Sequence, residues 1–275
     1  MKSKTLILGK GFIGNKLQKE FSCDISGKKI YSYSDAEKEV KRFNPKVIIN
    51  CIGITGKNNV DDCELAKDDT LMANSFLPLI FAEVAIRRNV KLVHISSGCI
   101  FNYDYKKDLP IKEDFTPDFF GLFYSRSKIY SEQPLNILSK KYNILIPRIR
   151  IPLDNQPSPK NILTKLIKYK NVIDLPNSVT YVPDFIKALK HLIMVNARGI
   201  YNVVNKGGLR YPELLDIYKK FNPDFKYRVI KLKDLKLVRT NLLLSCAKLE
   251  KSGFKVRNIS EVLEECVENY VNNTL

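Results

Sequence analysis

The sequence predicts an α/β fold, a doubly wound parallel sheet followed by a smaller C-terminal α/β part. Two observations carry that prediction. Short β-branched runs alternate with helical patterns through residues 1–152, the grammar of strands joined by crossover helices. A glycine-rich turn, Gly9-Lys10-Gly11-Phe12-Ile13-Gly14, joins the first such run to the first helix. At 275 residues the chain is long enough for one large or two modest domains with a substantial core.

The elements follow in order. Thr5–Leu8 reads as the first strand and 13–21 as the helix after the glycines. The second strand is expected at 29–33, with Asp35 as N-cap of a helix over 36–43, because Asp readily accepts a first-turn N–H. A third strand over 47–51, a helix over 69–88 and a fourth strand over 91–95 come next, then a long helix over 124–139 and a buried strand over 143–149. Beyond Pro152 the pattern changes to a helix at 161–168, strands at 172–175 and 199–203 around a helix at 183–195, and a closing helix at 259–271. The expected division is residues 1–152 and 153–275, interleaved in that strand 172–175 or 199–203 returns to the main sheet.

Composition narrows the function classes. With 44% hydrophobic and 27% charged residues, and only 12 Gly and 13 Pro, the chain is neither disordered nor collagen-like. Its apolar runs at 47–54 and 76–86 fall short of the roughly 20 residues a membrane span needs. Residues 1–8 run into the glycine turn without the apolar region of a signal peptide, so a cytoplasmic protein without a membrane partner is expected. Cys23, Cys51, Cys63, Cys99, Cys246 and Cys266 form no C-x-x-C pair, which suits a reducing compartment. The net charge of +17 is spread along the chain and accompanies no nucleic-acid motif, so no nucleic-acid partner is expected; attraction of small anions, or a lysine-rich background without function, would explain it. His94 and His191 lie in apolar runs without ligand spacing, and no metal site is expected.

The glycine turn is the first candidate site. A strand before it and a helix after it are the context of a dinucleotide-binding, Rossmann-type sheet: Gly9, Gly11 and Gly14 let backbone approach a pyrophosphate, and the helix N-terminus offers free N–H groups. An acidic residue some 20 positions on would favour NAD. Tyr31, Ser32, Tyr33 and Ser34 stand there instead, and Ser32 with Lys10 would tolerate a 2′-phosphate, so NADPH is the expected cofactor. The second candidate is Tyr124-Ser125-Arg126-Ser127-Lys128, which places a phenol and an ammonium four apart on one helix face. A nearby cation stabilises phenolate, so Tyr124 can exchange a proton below its free pKa of about 10.

Glycine turn, Asn74, Ser97 and Tyr-x-x-x-Lys in this order resemble the extended short-chain dehydrogenase/reductase superfamily. The resemblance implies that Tyr124 exchanges a proton with the substrate oxygen, Ser97 hydrogen-bonds it, and Lys128 holds the nicotinamide ribose. It also places Phe12, Ile13, Cys51, Ile52, Gly53 and Asn74 around the cofactor. Sugar-nucleotide 4,6-dehydratases carry Thr-Asp-Glu where this chain has Ser97-Gly98-Cys99, so no dehydratase activity is expected.

A longer resemblance is to plant-type UDP-4-keto-6-deoxyglucose 3,5-epimerase/4-reductases, which complete UDP-L-rhamnose. It runs through Gly53-Ile54-Thr55-Gly56, Asn59-Val60-Asp61-Asp62-Cys63-Glu64, Gly98-Cys99-Ile100-Phe101, Thr116-Pro117, Arg148-Ile149-Arg150-Ile151-Pro152, Pro176-Asn177-Ser178 and Arg239-Thr240-Asn241. The glycine turn departs from that family in being one residue shorter. The resemblance implies a second acid/base pair, Cys99 and Lys165, for protons on C3 and C5, with Asn161 and Arg239 at the substrate and a homodimer as the assembly. Arg148, Arg150 or Arg239 would suit a pyrophosphate clamp, although salt bridges suit them equally. The UDP-sugar substrate would come from a separate 4,6-dehydratase. A reductase without epimerase activity, one acting on a dTDP-linked or 2-acetamido sugar, and a non-catalytic NADP-binding sensor are the rival readings.

Overall fold

The structure, a computed structural model, describes residues 4–57, 59–107, 109–169, 171–235 and 237–274. It divides into two compact units that interleave along the chain. The first holds residues 1–100, 117–148 and 192–201, and the second holds 101–116, 149–191 and 202–275.

The first unit is built on one sheet. Its strands are β1 (Thr5–Leu8), β2 (Asp24–Ser26), β3 (Val47–Asn50), β4 (Lys91–His94), β5 (Ser96–Ser97) and β6 (Ile144–Ile149), joined by β10 (Gly199–Asn202). The spatial order is β10-β6-β4-β3-β1-β2, with β5 on β6, and the pairs β1–β2, β1–β3, β3–β4 and β4–β6 are parallel. Between them run α1 (Phe12–Phe21), α2 (Tyr33–Phe43), α3 (Lys67–Arg87) and α4 (Phe123–Ser139). Leu6, Leu8, Ile48, Leu92, Ile144 and Ile146 meet Ala36, Val40, Phe81, Ala82 and Leu135 in one core. Ile7, Ile49, Val93 and Leu145 point the other way along the same strands and are equally buried, so both faces are covered, as a parallel sheet requires.

The chain leaves β1 toward β2 on one side and returns as β3 on the other. That reversal is the topological switch point at which such sheets bind ligands. Ser26, Leu8, Asn50 and His94 are in register across the carboxyl edge, so the turns that follow them depart side by side.

Two elements differ from expectation. The second strand lies at Asp24–Ser26, and Ser32, not Asp35, caps α2 by accepting the Asp35 N–H at 3.1 Å. Asp35 answers from the third position of the helix by accepting the Tyr31 N–H, and these bonds, led by the Ser32 hydroxyl, hold its carboxyl below the usual range. A three-residue strand is too short to show its period, and buried Ile30 supplied a false one. The third helix begins two residues early and is continuous for 21 residues, long and apolar enough by length and composition to cross a membrane. Much of it is buried against the sheet and α4, as a core helix would be. Met72–Phe76 is a wider π-helical turn within it. Pro78 lacks the N–H that an unbroken helix would give the Asn74 carbonyl, which accounts for the widening at that point.

The second unit has two small parallel pairs, β7 (Pro152–Leu153) with β9 (Thr180–Tyr181) and β8 (Asn171–Ile173) with β11 (Arg228–Ile230). Its core gathers α5 (Ile162–Lys168), α7 (Tyr211–Phe221) and α9 (Leu263–Asn272) through Leu163, Leu166, Leu214, Leu215, Val267 and Tyr270. The helix α6 (Val182–Met194) precedes β10, and α8 (Ala247–Lys251) precedes the closing helix. Of the two strands expected near the main sheet, 199–202 lies in it and 171–173 pairs with 228–230.

Candidate active site

Gly9 leaves β1 with φ +104°, a conformation only glycine adopts freely, and a Cβ there would stand 2.9 Å from the Ile52 nitrogen. A Cβ on Gly14 would stand 2.0 Å from the Gly9 oxygen, so the turn closes on its own helix only without side chains. Gly11 is the opposite case, since nothing lies within 4 Å of a Cβ placed on it. Helix α1 starts at that open space without a side-chain cap, leaving its first N–H groups available to an anion. The residues present therefore fit a dinucleotide's phosphates. Because β2 ends at Ser26, the residues that follow the second strand are Gly27, Lys28 and Lys29, all exposed, and the stem of Lys10 lies over Gly27. The expected Ser32 is engaged as a helix cap by contrast. Sequence reasoning missed Lys28 and Lys29 because it placed the strand too late.

The turn after β3 forms the opposite wall. Cys51 continues the ladder by donating to the Leu8 carbonyl, and Asn50 fixes the turn by accepting the Ile52 N–H at 3.0 Å. Burial pushes the Cys51 thiol up to about 12, so it stays neutral. Gly53 is exposed, and a Cβ on it would be 3.2 Å from the Asn74 Oδ1 and 3.3 Å from the Lys128 Nζ. Asn74 is fully buried in the π-helical turn. It accepts the Ile54 N–H and donates to the Ile54 carbonyl, both at 2.9 Å, and to the Ser127 hydroxyl at 3.0 Å. Asn74 thus ties the wall to α4.

Helix α4 carries Tyr124 and Lys128, both buried, in its first two turns. No side chain of its own caps it. Glu64 does so from a distant 3₁₀ turn, accepting the Phe123 N–H at 2.7 Å. That is what the resemblance segment ending in Glu64 does in the structure. Ser125 donates to the Cys99 carbonyl at 2.6 Å, while the Ser97 hydroxyl accepts the Cys99 N–H at 3.1 Å. Ser97, Cys99 and the first turn of α4 are therefore linked through one short turn, with Cys99 partly exposed.

Burial lowers Lys128 to about 8, against which Glu132 and the thiols of Cys51 and Cys63 pull it back up. Burial also drives His94 well below its ordinary value, with Lys128 adding repulsion, and the neutral ring takes a hydrogen bond from Asn50 at 3.1 Å. His94 is a structural residue of the carboxyl edge.

In the second unit, Asn161 caps α5 by accepting the Leu163 N–H, and its amide also bonds Asp154 through both N–H and carbonyl and the Gln156 carbonyl. Fully buried, it organises the 154–161 loop, a different task from the substrate contact expected of it. Lys165, one turn further, is half-buried. Desolvation lowers its pKa first, and the positive charges of Lys160 and Arg239 lower it further. Two motif segments meet on fully buried Arg150, which donates to the Asn177 Oδ1 at 3.0 and 2.8 Å and to the Thr240 carbonyl. Asn177 in turn donates to Asn241 at 2.9 Å. Arg150 is thereby committed to holding the 239–241 segment, and Arg148 to a buried carboxylate, Glu132. Of the two readings open for these arginines, pyrophosphate clamp or salt bridge, the structure shows internal pairing, with a carboxylate for Arg148 and with Asn177 and the Thr240 carbonyl for Arg150.

A switch-point glycine turn, with Ser, Tyr and Lys gathered on the same sheet unit, defines the extended short-chain dehydrogenase/reductase class. Residues 4–207 match the RmlD substrate binding domain, and the chain belongs to that family. A bifunctional dTDP-4-dehydrorhamnose 3,5-epimerase/dTDP-4-dehydrorhamnose reductase of Arabidopsis thaliana is 31% identical, over 94% of this chain and 90% of its own length. A trifunctional UDP-glucose 4,6-dehydratase/UDP-4-keto-6-deoxy-D-glucose 3,5-epimerase/UDP-4-keto-L-rhamnose-reductase of the same plant is 32% identical over 94% of this chain, which spans 41% of that relative. Among solved structures, the UDP-rhamnose synthase L780 of Acanthamoeba polyphaga mimivirus shares the fold with a TM-score of 0.88 at 24% identity, covering 96% of this chain and 99% of that one.

Proposed function

We propose that this protein is a cytoplasmic sugar-nucleotide 3,5-epimerase/4-reductase that converts UDP-4-keto-6-deoxy-D-glucose to UDP-L-rhamnose with NADPH. The observation that carries the reading is the turn in which Ser97 and Cys99 are bonded to each other and to the helix of Tyr124 and Lys128. One turn thus supplies both a donor for a carbonyl oxygen and a thiol two residues away. The plant relatives' names, which couple the same two reactions, support it.

Protons on C3 and C5 of a 4-keto sugar are acidified by the carbonyl. In this reading a group on one face removes such a proton, leaving an enolate whose oxygen Tyr124 and Ser97 stabilise by hydrogen bonding, and a group on the other face returns a proton to the same carbon. Cys99 and Lys165 are the candidates. Burial and the positive neighbours Lys160 and Arg239 disfavour an ammonium on Lys165 and so raise the fraction present as the free amine that can take a proton. NADPH, when bound, supplies the hydride that reduces C4. The turn Gly9 to Gly14 would hold its pyrophosphate, Cys51, Ile52 and Gly53 would flank its adenosine half, and Lys128 would hold the ribose beside Gly53. Lys10, Lys28 and Lys29, with no acid among them, favour a 2′-phosphate. Tyr124 then delivers the proton that turns the C4 oxygen into a hydroxyl.

The reading includes a separate 4,6-dehydratase activity as the source of the keto sugar, and a homodimer as the assembly. Incubation with the keto sugar in D₂O tests it. Deuterium is expected at C3 and C5 without NADPH, lost in Cys99→Ala, and NADPH oxidation is expected to fall by about 10²- to 10⁴-fold in Tyr124→Phe. Exchange that survives Cys99→Ala removes the thiol from the reaction, and faster turnover of the dTDP sugar reassigns the nucleotide.

A further inference from the structure

Glu132 lies at the centre of the first unit with its side chain almost wholly buried, yet nothing in the reaction above uses it. It sits on α4 one turn beyond Lys128 and two beyond Tyr124, on the same helix face. Its Oε2 accepts the Ser96 hydroxyl at 2.6 Å, and Arg148 of β6 grips the carboxylate with Nε at 3.1 Å from both oxygens and Nη2 at 2.7 Å from Oε1. Ser96 and Ser97 are the whole of β5, which pairs with β6. Ser97 is the neighbour of Ser96 in this two-residue strand, so tying Ser96 to the Glu132 carboxylate fixes the stretch of backbone from which the Ser97 hydroxyl departs. A single carboxylate thus joins the helix that carries the phenol and the ammonium, the strand that carries the hydroxyl, and the strand beside it.

Buried ion pairs add little net stability, because desolvation offsets their attraction. What this one supplies is geometry and charge. We propose that Glu132 is the positioning residue of the oxygen site: it anchors β5 through Ser96 and so holds the backbone that carries Ser97, and it gives Lys128, one helical turn away, a counter-charge in the interior. The proposal rests on the reductase reading above. The charged and titratable groups that act on Lys128 agree with it. Cys51, Cys63 and His94 approach from the sheet edge and the 3₁₀ turn, and Glu132 is the strongest influence that favours the ammonium.

Three variants test this. Ser96→Ala removes one hydroxyl and leaves the Arg148–Glu132 pair intact. It is expected to lower kcat for reduction by about 10- to 100-fold with little change in KM, as a displaced reacting group does. Glu132→Gln keeps the side chain's shape, and is expected to move the Lys128 midpoint, followed by NMR of lysine-labelled protein, below its wild-type value of about 8. Glu132→Met combined with Arg148→Met replaces the pair by apolar groups and is expected to fold, with the same loss of kcat as Ser96→Ala. Wild-type kcat in folded Ser96→Ala or in the double variant overturns the proposal, and so does an unmoved Lys128 midpoint in Glu132→Gln. A wild-type protein that turns over no 4-keto sugar would refute the reductase reading, while the Lys128 titration would still decide the role of Glu132.

Discussion

Lys128 and Lys165 are both taken out of water, and their neighbours treat them in opposite ways. Lys128 is deeply buried in the first unit, where burial lowers its pKa and the Glu132 carboxylate resists. Lys165 is half-buried in the second, where Lys160 and Arg239 add to the lowering. Both environments disfavour the ammonium, but in the first a carboxylate opposes that lowering and in the second positive neighbours add to it. In the proposed reaction the same side chain would serve a ribose and a phenol in one case and a carbon acid in the other, in surroundings of different charge.

Replacing Lys128 sharpens this comparison most. Lys128→Met is expected to cut the rate of reduction by about 10²-fold or more while raising stability. The folded pKa, about 8 against an ordinary 10.5, lies below the unfolded one. Below pH 8 both states are protonated and the folded protein bears the full penalty, on the order of 3 kcal/mol. The unfolded state binds more protons between pH 8 and 10.5, so the advantage of Lys128→Met, read by denaturant unfolding, shrinks across that window.

Lys165→Met is expected to act differently, slowing deuterium exchange at C3 or C5 by about 10²-fold while leaving reduction of the already epimerised keto sugar intact. Equal loss of both reactions would break the comparison. Arg239→Gln has the smallest effect. Removing a positive neighbour favours the ammonium, so the pKa of Lys165 rises and the acid limb of the exchange rate moves to higher pH.

The sheet was legible because Thr5–Leu8 and the runs near 47, 91 and 144 are apolar on both faces, and the glycine turn because its glycines sit between a strand and a helix. Ser97, Tyr124 and Lys128 were legible as residue types in order. The second strand was not, being three residues long, and its misplacement hid Lys28 and Lys29 behind Ser32. Arg148 and Arg150 suit an anion or a salt bridge equally by type, and only the resemblance put Asn161 at the substrate. Their partners, Glu132, Asn177 with Thr240, and Asp154 with Gln156, become neighbours only on folding. Glu132 itself left one trace, the four-residue step that continues Tyr124 and Lys128 along the helix.

The central claim is that one carbonyl site serves both inversion and reduction. The most direct measurement is NMR identification of the product formed from NADPH and UDP-4-keto-6-deoxy-D-glucose. UDP-L-rhamnose is the predicted product, and a 6-deoxyhexose with C3 and C5 uninverted would contradict the account.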